Sequence, residues 1–262
     1  MAAEKQTTPH GWQNRFYASC VREKISFIEP KQLKLSMVNP TAITEYLFFN
    51  PSGNWDFGNK VLYDLCKCYP MHTNQDEIVT KIWLIGRSYA AAIERGASSS
   101  TTSNDFYYDD FYYDVVAPHF IDPYTHAPTS VAEELDKKLK GLKSVLAVAG
   151  SSLIASNLSD ILETHKFLTE EFKKITGLKK RSLASKYLHF HCPDLFFIYD
   201  SRANSAIKKI VKNPIKSRPA GLVYDPEYAD FVCRMLDFQD EIHTITGVYP
   251  TPREIDTFLL SL

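Results

Sequence analysis

Cysteine is sparse in this sequence and odd in number: Cys20, Cys66, Cys68, Cys192 and Cys233 are the whole set. Their scatter gives no disulfide framework. Cys66 and Cys68 stand too close together, without matching partners, for a zinc pair. All five are read as reduced thiols, and neither metal nor cofactor is expected. No sign of charge dominates either. Thirty Lys and Arg face 31 Asp and Glu, for a formal net charge of −1 and a pI near 6.7. That excludes a generally basic nucleic-acid coat but permits one local basic face. No apolar run reaches membrane-spanning length, and no secretory signal pattern is present. A cytoplasmic protein with no membrane partner is the expectation. Internal repeats and strand-rich stretches are also lacking.

What is present is helical patterning. The chain has 262 residues, 44% hydrophobic and 23% charged, enough to bury a full core. It reads as one compact helical domain, built as two lobes, with a variable loop over 96–128. Helices are expected over 12–24, over 39–49 behind Asn39-Pro40, and over 55–68. The clearest N-terminal helix spans 75–95. Ile78, Ile82, Trp83 and Ile85 form its apolar stripe, and acidic residues fill its first turn. Ala90, Ala91 and Ala92 permit close approach of another helix or a ligand. Small apolar residues over 145–154 suit a buried helix. Pro- and Gly-containing residues 213–226 read as a loop before a long helix over 227–246. Thr251, Pro252 and Glu254 supply the N-cap, first helical position and capping partner of a final helix.

The chain is organised around residues 167–211. A helix ends at Gly177, a natural left-handed terminus. A second begins near Ser182 and stops at Pro193. The run Leu195, Phe196, Phe197, Ile198, Tyr199 then delivers the chain to Asp200 and Ser201, either of which caps the next helix. Asp200 is therefore a cap, or a carboxylate placed at a helix mouth for chemistry.

This arrangement resembles the helix–hairpin–helix DNA glycosylase superfamily. Gly177 matches the first hairpin glycine, and Asp200 falls at the spacing of the catalytic aspartate without a gap. The second hairpin glycine is missing from Ile175, Thr176, Gly177, Leu178, Lys179. Where bifunctional members carry a Schiff-base lysine, this chain has Arg181, a poor amine nucleophile. The resemblance implies an all-α, two-lobed fold and a monofunctional N-glycosylase acting on double-stranded DNA that contains a modified or damaged base. It implies Asp200 as the catalytic residue, with Lys180 and Lys186 as alternative nucleophiles. It places Gly177, Lys179, Lys180 and Arg181 on the DNA backbone. A phage-defence member acting on a bulky modified cytosine fits the same pattern.

Such an enzyme extrudes its base from the duplex into a pocket. Candidate pocket residues are Arg87, Tyr89, Tyr107, Tyr108, His189 and His191. Tyr107 and Tyr108 belong to the run DFYYDDFYYD at 105–114, whose rings suit stacking while its aspartates repel phosphate. A packed connection between lobes is the other reading of that run. Lys208, Lys209, Lys212, Lys216 and Arg218 extend the basic character beyond Asp200, as a solvated face or a DNA clamp. A monomer is expected. Two other classes stay open: a non-catalytic helix–hairpin–helix DNA-binding module, and a helical protein-interaction domain using the aromatic-acidic run.

Overall fold

The computed structural model describes residues 56–97, 111–146, 148 and 150–262. The helices expected over 12–24 and 39–49 lie outside these residues, as do Tyr107 and Tyr108. Helices α1 (Asp56–Cys68) and α2 (Gln75–Ser88) come first. A π-helical segment (Phe111–Val116) runs into the short α3 (Ala117–Phe120). Then come α4 (Ser130–Lys143), α5 (Leu153–Ser156), α6 (Leu158–Thr176), α7 (Arg181–His191), α8 (Ser201–Ile210), α9 (Pro226–Thr246) and α10 (Pro252–Ser261). Among the described residues there is no strand, only an isolated bridge between Ile121 and Pro128. The fold class is all-α, as the 3.6-residue patterning predicts.

Helix α7 is the hub. It packs against α1, α2 and α6, while α8 packs against α9 and α10. Every residue from Leu183 to Cys192 is buried, including the polar Lys186, His189 and His191. A helix surrounded on several sides loses the one-sided stripe of a surface helix. The turn before it forms as expected. Gly177 adopts φ 73° and donates its N–H to the Lys173 carbonyl at 2.8 Å. Thr251 and Glu254 make the reciprocal capping box of α10, with Pro252 inside its first turn.

Two helix expectations fail. Helix α2 stops at Ser88, not at residue 95. Ala90 turns left-handed at φ 51°, and Ala91 N–H bonds the Gly86 carbonyl at 2.7 Å. The chain folds back so closely that a Cβ on Gly86 would meet Ala92 Cα at 3.2 Å. The small residues thus serve the helix's own reversal. The buried helix expected over 145–154 is also absent. Only Leu153–Ser156 is helical, while Leu146 and Val148 are 84% and 63% exposed. Gly150 at φ 77° breaks the pattern, and Ser152 starts a new helix by accepting the Ala155 N–H. Apolar composition without helical periodicity does not specify a buried face.

Candidate active site

The run from Leu195 to Tyr199 is wholly buried and is stitched to its neighbours through backbone groups. His189 Nδ1 bonds the Phe196 carbonyl at 2.8 Å, Tyr228 Oη donates to the Phe197 carbonyl at 3.1 Å, and Tyr199 N–H donates to Ser185 Oγ at 3.0 Å. Extended backbone inside a helical core must find such partners. They fix where the chain emerges, and it emerges at Asp200. Asp200 is half-buried and caps α8, its Oδ1 accepting the Ala203 N–H at 2.8 Å. One oxygen is spent on the cap, and Oδ2 has no hydrogen-bond partner among the described residues.

Lys186 lies within electrostatic reach of Asp200. Its ammonium donates to the Tyr89 carbonyl at 3.1 Å and to Ser182 Oγ at 3.0 Å, with the Tyr89 ring centroid 5.7 Å away. Burial lowers its pKa, and the charges of Asp200 and then Asp256 oppose that shift. Asp256 sits on α10 and is fully buried. Burial pushes its carboxyl up to about 7, against the lowering influence of Arg253. Asp200 raises it further and Lys186 lowers it. Arg253 Nη1 bonds Asp256 Oδ2 at 2.7 Å, and its guanidinium lies 5.9 Å from the Tyr89 ring centroid. Asp256 Oδ1 is buried and has no hydrogen-bond partner among the described residues. Four charged groups from α7, α8 and α10 therefore share one electrostatic neighbourhood. Only part of it opens to solvent.

The expected site residues divide. Lys186, Tyr89 and Asp200 come together. His189 stands behind them, its Nδ1 facing the Phe196 carbonyl and its Nε2 accepting from Tyr63 Oη at 2.6 Å. Burial holds its pKa down to about 4, so it is a neutral ring of fixed orientation. His191 belongs to a different cluster, its ring 5.3 Å from His72 and 4.8 Å from Tyr187. Arg87 is exposed and paired with Glu94.

In the hairpin, Gly177 and Lys179 are exposed. Lys180 Nζ bonds the Arg95 carbonyl at 2.5 Å. Arg181 is committed to the start of α9. It makes a two-pronged bond to Asp225 at 2.6 and 2.9 Å and pairs with Glu227 at 2.7 Å. Planar, bidentate recognition of this kind explains the choice of Arg over Lys there.

Sequence reasoning missed Asp256 and Arg253. The signal was available: Pro252, Ile255, Asp256 and Leu259 fall at i, i+3, i+4 and i+7, so a carboxylate interrupts the buried face of an amphipathic helix. Among the described residues, no three His, Cys, Asp or Glu side chains are grouped to hold a metal ion, and no helix is long and apolar enough to cross a membrane. Comparison with family models, with curated proteins and with solved structures finds no match.

Proposed function

We propose that this protein is a DNA N-glycosylase that releases a modified or damaged base using the Asp200 carboxylate. The observation that carries the reading is the setting of Asp200. A buried, hydrogen-bonded run delivers it to the mouth of α8, with one oxygen uncommitted among the described residues and the charges of Lys186 and Asp256 within electrostatic reach. A carboxylate held this way supplies negative charge in a fixed place, which stabilises a cationic transition state without reorganisation. In the reaction, the bond between C1′ and the base nitrogen breaks and its electron pair leaves with the base. Asp200 stabilises the positive charge left on the sugar and orients the attacking water. The product is a free base and an abasic site. Lys179, exposed at the hairpin, is the side chain there best placed to meet a phosphate.

Arg181 cannot supply the amine for coupled strand cleavage, being locked to Asp225 and permanently charged. Of the two alternative lysines, Lys186 shares its surroundings with Asp200, while Lys180 answers to Glu94 and Arg95. Monofunctional hydrolysis is the reading adopted, with Lys186 as the residue to watch.

The test presents purified protein with duplexes carrying natural, damaged and virus-modified bases and scores abasic sites. Release from at least one duplex, with no covalent adduct after borohydride, is the expected result. A trapped adduct mapped to Lys186, with strand cleavage, converts the assignment to a bifunctional one. Tight DNA binding with no base release across the panel makes the protein a DNA-binding module and removes Asp200 from chemistry.

A further inference from the structure

Tyr199 stands immediately before Asp200, and the chain enters α8 through it. We propose that Tyr199 is a positioning residue for Asp200: its phenol, stapled to Asn204 one turn into α8, fixes the angle at which the chain enters the helix and hence the direction of the uncommitted carboxylate oxygen. The inference rests on the glycosylase reading for its catalytic consequence, but not for the staple itself.

Every link is a direct contact. With Asp200 as the cap of α8, Tyr199 is the residue before the cap and Asn204 the fourth residue of the helix. A side-chain contact between these two positions sets the entry angle of a chain into its helix, and in its common form both residues are apolar. Here the contact is polar. Asn204 Nδ2 donates to Tyr199 Oη at 3.1 Å, and Tyr199 Oη donates to Glu227 Oε1. Burial, and then the bond to Glu227, push the phenol pKa up to about 12, so it keeps the proton that it donates. Glu227 pairs in turn with Arg181 at 2.7 Å, and the Arg181 guanidinium lies 5.5 Å from the Tyr199 ring centroid. At the backbone, Ser185 Oγ accepts the Tyr199 N–H at 3.0 Å and donates to the Ser182 carbonyl at 3.0 Å. Tyr199 and Asn204 are both buried. Side chains from α7, α8 and α9 therefore hold one residue by its backbone and its phenol together.

The two grips do different work. The bond to Ser185 fixes where the chain leaves the core, and the phenol fixes how it turns into α8. Asp200 Oδ1 bonds the Ala203 N–H, so the direction of Oδ2 follows from that turn. A reacting group displaced by about an ångström loses much of its catalytic effect. The same line of bonds starts at Arg181, the first residue of α7. It therefore ties the hairpin, which the glycosylase reading lays on the DNA backbone, to the carboxylate that this reading makes catalytic. Tyr199→Phe keeps the ring and removes the oxygen shared by Asn204 and Glu227. Combining it with Asn204→Leu rebuilds the staple from apolar groups of similar shape.

The test has an arm that needs no DNA. Backbone amide exchange of the full chain is followed by NMR at Ala203, whose N–H makes the cap bond. In the wild type this amide should be protected, although it lies in the first turn of a helix. Tyr199→Phe and Asn204→Ala should each speed its exchange by about tenfold and leave the core amides of α9 unchanged. The Tyr199→Phe/Asn204→Leu pair should restore protection. An unprotected Ala203 amide in the wild type overturns the proposal, and this holds even if every variant fails to fold. So does unchanged Ala203 exchange in a folded single variant, or exchange that the folded pair fails to slow. The second arm follows single-turnover base release. Tyr199→Phe should lower the rate about tenfold at unchanged DNA affinity, and it should not lower the residual rate of Asp200→Asn any further. A wild-type rate in Tyr199→Phe, or a full loss repeated on Asp200→Asn, means that Tyr199 does not act through Asp200. The positioning role then fails while the glycosylase reading stands. If no duplex releases a base, the glycosylase reading fails while the exchange result stands.

Discussion

Lys81 and Lys186 are both buried lysines packed around α7, yet their charges are accommodated differently. The Lys81 ammonium donates to the Tyr69 carbonyl at 2.8 Å and the Met71 carbonyl at 3.0 Å, both in the connection between α1 and α2. It staples a turn, and burial lowers its pKa to about 8. Beside it His72 is closed off. Its ring bonds Asp136 at 2.5 Å and Tyr187 at 2.6 Å, and its backbone N–H reaches the same carboxylate at 3.0 Å. Lys186 likewise bonds a carbonyl, that of Tyr89, and the Ser182 hydroxyl. The difference lies in the carboxylates that act on the two: Asp136, which acts on Lys81, is bonded to His72, while Asp200, which acts on Lys186, is half-open to solvent at a helix mouth. A buried cation satisfied by nearby carbonyls is a structural part. One that also feels a half-open carboxylate at a helix mouth is an electrostatic device whose state a ligand or a proton changes.

The largest expected effect falls on the Lys186 side. Asp200→Asn should cut base release by about 100- to 1,000-fold while changing stability little, because Asn caps a helix nearly as well as Asp. Single-turnover rates and a thermal melt measure the two quantities together. An active Asp200→Asn variant would make Asp200 a cap like any other and erase the contrast between the lysines.

The next test exchanges the two lysines in turn. Lys81→Met should cost on the order of 2–3 kcal/mol of stability, because the Tyr69 and Met71 carbonyls lose their buried donor. Its activity per folded molecule should be unchanged. Lys186→Met should show the opposite balance, with altered rate and pH profile at modest cost in stability. Urea unfolding and abasic-site assays on both variants decide it. Equal effects on both quantities would mean that the two lysines do the same job.

Acid should act on both sides at once. Burial lowers the pKa of His72, His165, His189 and His191. The unfolded chain takes up those protons near pH 6.5 and the folded chain does not, so stability is lost as pH falls below that value. Asp256 works in the opposite sense. Folded, it keeps its proton up to about pH 7, whereas its ordinary value is 3.8, so its contribution weakens the fold as pH rises between the two. Four histidines outweigh one carboxyl, and melts taken downward from neutral pH should show falling stability. The smallest effect belongs to His191, whose ring nitrogens are both buried without hydrogen-bond partners among the described residues. His191→Phe should raise stability by about 1 kcal/mol and flatten the acid slope.

Much of this architecture is legible in the residues. Gly177, Gly247, Pro226 and the Thr251–Glu254 pair mark helix ends by local rules, and the structure uses each as a boundary. Asp200 as a cap follows in the same way. Two of the misses share one physical source, the tertiary partner. Nothing local says that residues 90–92 fold back over Gly86 while Tyr89 offers its carbonyl to Lys186, or that Arg181 is claimed by Asp225 across 44 positions. Asp256 was hidden because Thr251 and Glu254 explained the start of α10 so completely.

The capping box that begins α10 also has a consequence for the order of assembly during synthesis. Lys186 and Asp200 leave the ribosome together, while Arg253 and Asp256 follow on the far side of the long helix α9. Until they arrive, the nascent chain carries the Lys186 segment without the Asp256 carboxylate or the Arg253 guanidinium. Folding in the order of synthesis therefore completes the bundle around α7 before its electrostatics. The site acquires its charge pattern only once one short helix, started by Thr251 and Glu254, closes over α8.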